Sequence, residues 1–413
     1  MVLKSKFVEQ TSVCRLCSST DLDLVLSLGS TPLANDFRSI SKPPGIYEEI
    51  PLDLLRCHAC HHVQLAHVVA PELLFSNYAY VSGTSNSFVG HFKQYADWVS
   101  NSLEIPKGEL ILEIGSNDCT LLGFLASDNY RCIGIDPAEN IVKDTQSNNY
   151  SSICSFFNQE AVDQVRRDHG EVSLIIANNV FAHIKDLSKT IELACSLLKP
   201  CGYLVFEVSY LLDVIEKTLF DTIYHEHLDY HSVSALVPFL ARYGLDIIKI
   251  IPIASHGGSI RVVSQFRANT TKDKSVQLFL EKERICGLDS PLALFNFSNN
   301  LNLLANANKE FLFEAKSKGK SIVGFGAPAK MTTLTYYFGI TAGIFEFIVD
   351  DSPLKQNTYA PGGHTKVLSG EHLYEFNPDV VYILAWNFAE PIVAKHIQFE
   401  NRFVIPVPSL QLA

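Results

Sequence analysis

Two cysteine pairs, Cys14-Arg15-Leu16-Cys17 and Cys57-His58-Ala59-Cys60, constrain the first part of this chain more tightly than any other feature. Two intervening residues let both thiolates of a pair face one ion at about 2.3 Å, so two such pairs close a tetrahedral zinc site. His58, His61, His62 and His67 crowd the second pair as possible substitutes, but four cysteines already complete the coordination. With no open position the metal is structural, stapling a small domain whose connecting segment is rich in turn formers (Gly29, Pro32, Pro43, Pro44, Gly45). The remaining six of the ten cysteines are scattered singly, which excludes a disulfide scaffold.

At 413 residues the chain needs two to four domains on a prior of about 100 to 200 residues each. A net charge of -11 argues against nucleic acid as the main partner, because that affinity comes from Lys and Arg. The N-terminus lacks an apolar signal region, and no stretch approaches the ~18 apolar residues of a membrane span. A cytoplasmic protein without membrane or nucleic-acid partners is expected, either monomer or homodimer.

Beyond the cysteines, a hydroxyl-rich stretch carries Tyr78, Tyr80 and Ser82, residues able to line a cleft or to serve as a linker. The strand pattern Glu109-Leu-Ile-Leu-Glu113-Ile then runs into Gly115-Ser116-Asn117-Asp118 and a helical pattern. A second strand ends in Asp136-Pro137, the usual distance for a carboxylate that holds ribose hydroxyls. Strands ending at Asn178-Asn179 and Glu207 follow, with a helix between them, which implies a parallel sheet with ligands at its carboxyl edge. The first turn favours one ligand class. A dinucleotide needs G-x-G-x-x-G to let the backbone approach a pyrophosphate, whereas Gly115 stands alone. Glu113-x-Gly115 with a downstream acid suits S-adenosylmethionine instead.

The densest run of titratable groups is Phe220-Asp-Thr-Ile-Tyr224-His225-Glu226-His227-Leu-Asp-Tyr230, near the carboxyl edge of the same sheet. Burying so many polar groups together costs free energy unless each finds a partner, so the run is the candidate reaction centre. Tyr224 and His227 share a face only if the segment is a helical or tight turn; that conformation is expected, with His225 as the structural histidine. Further on, His256-Gly257-Gly258-Ser259-Ile260-Arg261 reads as either an anion-binding turn or an ordinary hairpin. Residues 268 to 310 look helical and polar. A second α/β unit then opens with Gly324-Phe-Gly326-Ala-Pro-Ala-Lys330, with Asp350-Asp351 and Tyr359 in later loops.

Taken in order, these motifs resemble the bacterial C-methyltransferases that act on nucleotide-linked 4-keto-deoxy sugars. The resemblance runs from the cysteine pairs through Leu112-Glu-Ile-Gly-Ser-Asn-Asp118, Asn178-Asn-Val-Phe-Ala-His183, Tyr224-His-Glu-His227, His256-Gly-Gly-Ser-Ile-Arg261 and Gly324-Phe-Gly-Ala-Pro-Ala-Lys330 to Asp350-Asp-Ser-Pro353. It implies an α/β protein: a zinc-binding domain (1–80), a Rossmann-type S-adenosylmethionine domain (81–300) and a Rossmann-like nucleotide-sugar domain (301–413). It implies His227 as base, with Tyr224, Glu226 and His183 around the reacting carbon. Glu113, Gly115, Asn117, Asp118, Asp136, Pro137, Asn178 and Asn179 then hold the cofactor. Tyr78, Tyr80, Ser82, His256, Gly258, Arg261, Lys330 and Tyr359 meet the nucleotide-diphosphate sugar. The expected reaction is methylation at carbon 3; an O- or N-methyltransferase and a non-catalytic zinc-containing binding protein stay open as alternatives. Cys119, Ser209 and Met331 stand where the family usually has glycine, proline and glycine.

Overall fold

The computed structural model describes residues 7–75, 81–84, 86–143, 145, 149–267 and 272–413, so Tyr78 and Tyr80 lie outside the described residues. Its central sheet has seven strands, in the order Leu245–Ile253, Ser259–Phe266, Leu198–Ser209, Val172–Asn178, Leu110–Ile114, Arg131–Asp136, Tyr150–Cys154. The last five are mutually parallel and Ser259–Phe266 runs against them. Every residue of Leu110–Ile114 is buried, as its continuous apolar run requires when helices cover both faces. From this strand the chain leaves first to one side, then returns to the other at Val172–Asn178. That reversal opens a crevice at the strands' carboxyl ends, and Glu113, Gly115, Asn178 and Asn179 stand on its rim.

A second sheet repeats the device. Ile322–Phe325 lies between Ile348–Val349 and Val380–Ile383, all parallel, in an eight-stranded sheet that extends to Phe403–Ile405. Its far edge is the antiparallel pair of Thr358–Tyr359 with Arg38–Ser39, a strand supplied by the N-terminal region. The N-terminal sheet, Leu22–Thr31, Ile50–Cys57 and Val63–Leu65, receives Asp229–Tyr230 as its fourth strand. Strand pairing therefore crosses the expected boundaries in both directions. The helix Leu292–Ser317 also runs unbroken through position 300, since no glycine or proline interrupts it there. One continuous apolar cluster links Leu52 and Leu65 of the N-terminal sheet to Phe206 of the central sheet and Leu236 of the helix Val233–Ala241, and to Ile322 of the eight-stranded sheet and Leu334 of the helix Lys330–Phe338. Each such fully buried leucine or isoleucine contributes about 1.5–3 kcal/mol. No helix among the described residues is long and apolar enough to cross a membrane.

Candidate functional site

The four cysteine Sγ atoms of the N-terminal knuckles lie within 4.8 Å of one another, with Cys14–Cys60 and Cys17–Cys57 at 3.5 Å. Thiolates about 2.3 Å from one tetrahedral ion stand about 3.8 Å apart, so the cluster fits zinc. Contact with Cys60 draws the Cys14 thiol down to about 5. Two of the nearby histidines turn elsewhere: His58 pairs with Asp23, and His62 donates to Asp229 at 2.8 Å.

At the crevice of the central sheet, Gly115 has φ +69°, and a Cβ there would meet Val180 Cγ2 at 2.4 Å. Only glycine lets the chain turn here without closing the crevice. Its N–H donates to the Ile135 carbonyl at 2.8 Å, while Asp136 accepts from Asn117 N at 2.8 Å and Ala138 N at 2.9 Å. Each Asp136 oxygen keeps a second lone pair for a ribose hydroxyl. Burial raises the Asp136 carboxyl above its usual range. Pro137 follows, partly exposed.

Glu113 is 3% exposed, and burial holds its carboxyl well above the usual range. Its Oε1 accepts from Asn178 Nδ2 at 3.4 Å, but its Oε2 and Asn178 Oδ1 have no partner among the described residues. Such orphaned atoms are expected where a polar ligand completes the network, and with the glycine turn they fit S-adenosylmethionine. Asn179 adopts φ +55° and donates its N–H to the Glu207 carbonyl. Ser82 reaches this site through its backbone: its N–H donates to Asn117 Oδ1 at 2.9 Å, and Gly83 N to Asp118 Oδ2 at 2.6 Å. Cys119, the family's glycine position, has φ +60°, a left-handed conformation that costs an ordinary side chain about 1–2 kcal/mol.

The titratable run forms a tight turn, closed by His227 N donating to the Tyr224 carbonyl at 2.9 Å. Tyr224 and His227 converge as the turn requires, with Tyr224 Oη 3.1 Å from His227 Nε2. His227 Nδ1 lies 2.6 Å from the Thr222 carbonyl. A carbonyl only accepts, so Nδ1 carries the proton and Nε2 presents a lone pair. His183 meets the His227 ring edge-on with centroids 4.9 Å apart, and burial pulls its pKa down to about 4. Glu226 is 4% exposed, and burial pushes its carboxyl up to about 7 although Asn35 donates to it at 2.6 Å. His225 turns away to the Pro51 carbonyl at 3.4 Å, consistent with a structural role.

Two expected ligand contacts are not assembled as the sequence suggested. Arg261 is buried against Glu207 at 2.6 Å and lies 3.6 Å over the Tyr95 ring, so its guanidinium is not available to an anion. A Cβ at Gly258 would meet Asp213 Oδ2 at 2.3 Å, which places a carboxylate where an anion was expected. The motif is a turn into strand Ser259–Phe266, which includes His256 in its short helical turn. Tyr359 lies in the strand next to the edge, paired with Arg38 of the edge strand on one side and Lys366 on the other.

Lys330 begins the helix Lys330–Phe338 that follows Gly326, and its buried Nζ has no hydrogen-bond partner among the described residues. Beside it, Asp221 of the titratable run accepts from Trp386 Nε1 at 2.6 Å and keeps Oδ1 unpartnered. Met331 is buried and helps line a small, half-open cavity of about 20 Å³ with Tyr336, Ala360 and His364. Sequence reasoning missed Asn35, Asp221 and Trp386 as parts of the site; Asp221 lay inside the singled-out run, whereas Asn35 and Trp386 carried no local signal.

The chain matches three family models: a zinc binding domain over residues 14–75, a methyltransferase domain over 89–250 and the C-methyltransferase C-terminal domain over 254–408. It is 31% identical over 402 residues to the C-methyltransferase NovU of Streptomyces niveus, covering 96% of this chain and 95% of that one. Solved structures give distant likenesses on which nothing rests. Magnesium protoporphyrin IX methyltransferase of Synechocystis PCC 6803 with bound SAH has a TM-score of 0.34 at 16% identity, over 43% of this chain and 82% of that one. The CcbJ methyltransferase of Streptomyces caelestis has a TM-score of 0.36 at 12% identity, over 46% of this chain and all of that one. With matching domains along the length and a full-length relative, the chain belongs to the family of zinc-containing, S-adenosylmethionine-dependent C-methyltransferases.

Proposed function

We propose that this enzyme methylates carbon 3 of a nucleotide-diphosphate-linked 4-keto-deoxy sugar, a step in branched deoxysugar biosynthesis. The carrying observation is the His227 ring, held at Nδ1 by the Thr222 carbonyl so that Nε2 is a base with Tyr224 Oη 3.1 Å away. A proton beside a ketone is acidic enough for an imidazole when donors stabilise the enolate oxygen. His227 Nε2 takes the carbon 3 proton, and the electrons of that C–H bond move toward the ketone oxygen. Tyr224, and Glu226 in its protonated form, offer O–H donors to that oxygen. S-adenosylmethionine, when bound, would supply the electrophilic methyl group for carbon 3, the electron pair of its methyl C–S bond leaving on sulfur. Glu113, Asn117 and Asp136 orient it at the crevice. His183, neutral well above pH 4, packs against the base without placing a like charge beside its imidazolium. Lys330 supplies the cation for the diphosphate.

Incubation with a panel of nucleotide 4-keto sugars, read by mass spectrometry, should show a gain of roughly 14 mass units with one of them, one methyl replacing one proton. In deuterated solvent the sugar should exchange its carbon 3 proton, and His227→Asn should lower both exchange and turnover by about 10²–10⁴-fold. Normal exchange in that variant would remove His227 from the role of base.

A further inference from the structure

Arg15 lies between the two cysteines of the first zinc knuckle, yet its side chain points away from the metal site and is almost fully enclosed. Its Nε donates to both oxygens of Asp229, at 2.9 and 3.0 Å, and its Nη2 donates to the Ile184 carbonyl. Asp229 stands two residues after His227, and Ile184 one residue after His183. One guanidinium thus spans the two segments that carry the facing imidazoles. Side-chain exposure is 7% for Arg15 and 0% for Asp229.

The clamp is anchored on the zinc side. Arg15 N donates to Gln64 Oε1 at 2.8 Å, and Gln64 pairs with Asp229 in the N-terminal sheet. His62, two residues past Cys60, adds a hydrogen bond to Asp229 at 2.8 Å. Arg242 donates to the Leu16 carbonyl inside the knuckle. Between the two clamped segments, Leu228 N donates to the Ala182 carbonyl at 2.6 Å, while Leu65 N donates to the Leu228 carbonyl at 2.9 Å. Burial alone would raise the Asp229 carboxyl, but Arg15 and then His62 bring it down to about 2, so it remains the anion this clamp requires.

We propose that Arg15 is a positioning residue through which the zinc knuckle sets the spacing of His183 and His227. This rests on His227 being the base. The planar guanidinium suits the task because it addresses two acceptors in different directions from a fixed fork, which an ammonium does not. A displacement of about 1 Å in a catalytic group costs up to about 10²-fold in rate, so a clamp remote from the substrate has leverage on turnover. The knuckle then has two roles, stapling the N-terminal domain and holding the turn, and the second requires Arg15 as well as the metal.

The test compares Arg15→Ala, Arg15→Lys, Asp229→Asn and His227→Asn as full-length zinc-loaded protein. Metal content is measured by elemental analysis, cofactor binding by calorimetry, and carbon 3 proton exchange without cofactor by NMR on the turned-over nucleotide 4-keto sugar. For Arg15→Ala we expect one zinc per chain, cofactor Kd within about twofold and sugar KM within about threefold. Its kcat and its exchange rate should fall together by about 10- to 100-fold. Free guanidinium at millimolar concentration should restore part of the loss, and Arg15→Lys should recover less than full activity. Wild-type turnover in zinc-loaded Arg15→Ala, or lost turnover with exchange intact, overturns the proposal. Should Arg15→Ala lose zinc, Asp229→Asn decides, since it lies outside the knuckle and keeps its shape: kcat lowered at least about fivefold supports the clamp, and unchanged kcat overturns it. Wild-type exchange in His227→Asn instead strikes the base assignment, whatever the Arg15 variants do.

Discussion

The two glycine turns at the switch points of the two large sheets are built alike and charged oppositely. In the first, Gly115 N donates to the Ile135 carbonyl at 2.8 Å; in the second, Gly326 N donates to the Val349 carbonyl at 2.7 Å. In each, the next residue of the neighbouring strand is an aspartate that accepts amides from both sides. Asp136 takes Asn117 N and Ala138 N; Asp350 takes Ala327 N at 2.6 Å and Ser352 N at 2.8 Å. Both glycines have positive φ, and a Cβ on either would meet a neighbouring side-chain atom at 2.4 Å.

What differs is the second layer. The first turn is backed by the buried Glu113. The second is flanked by Lys330 and by Lys355, whose Nζ donates to the Ala327 carbonyl at 2.8 Å. Burial lowers the pKa of Lys355, and Asp350 opposes that shift. One backbone device thus carries side chains of two kinds: acids, which suit the hydroxyls and positive sulfonium of S-adenosylmethionine, and lysines, which suit the diphosphate of the proposed substrate. The lesson is that a glycine turn by itself does not name its ligand; the side chains behind it do.

The largest effect should come from filling either turn. Gly115→Ala is expected to weaken cofactor binding by about 100-fold, roughly 3 kcal/mol, through clash and left-handed strain, and to leave nucleotide-diphosphate binding nearly intact. Gly326→Ala should do the reverse, and calorimetry with each ligand on each variant reads the crossing. If both variants lost both ligands, the turns would not be separate sites.

Next comes the pH dependence of the seam between them. Burial raises Glu226 from the ordinary carboxyl range to about 7, so the folded protein binds its proton more tightly than the unfolded chain does. This contribution to stability is full below about pH 4.5 and is lost as pH rises through 7, a change of about 3 kcal/mol. Glu226→Gln keeps an acceptor for Asn35 and should flatten that part of a denaturation-versus-pH curve. An unaltered slope would place the titration elsewhere.

The smallest effect tests the charge difference directly. Lys330→Gln should raise sugar KM about 10-fold, about 1.4 kcal/mol, with kcat within about threefold and cofactor Kd unchanged. Steady-state kinetics at two salt concentrations separates a lost charge contact from a distorted pocket, because the variant's KM should respond less to salt.

Much of this architecture was legible in the chain because its signals are local. The spacing within Cys14–Cys17 and Cys57–Cys60 brings paired thiolates to one point, and apolar runs ending in Gly115 or Gly326 have few ways to pack. Tyr224 and His227 could be paired from their three-residue interval once a helical or tight turn was expected there. At Gly258 and Arg261 the local reading lacked a distant partner. The residue types were suitable, but Glu207, 54 positions from Arg261, had already taken the charge.

Sequence by itself determined the zinc ligands, the alternation of strands and helices, the acid-tipped second strands and the crowded turn, each set by covalent spacing or short-range periodicity. Tertiary structure alone decided which groups those features meet. Arg15 finds Asp229 across 214 positions, Asn35 finds Glu226 across 191, and Trp386 finds Asp221 across 165. Buried polar groups must be satisfied by whatever the fold brings near, and partners so far apart leave no periodic trace in the chain.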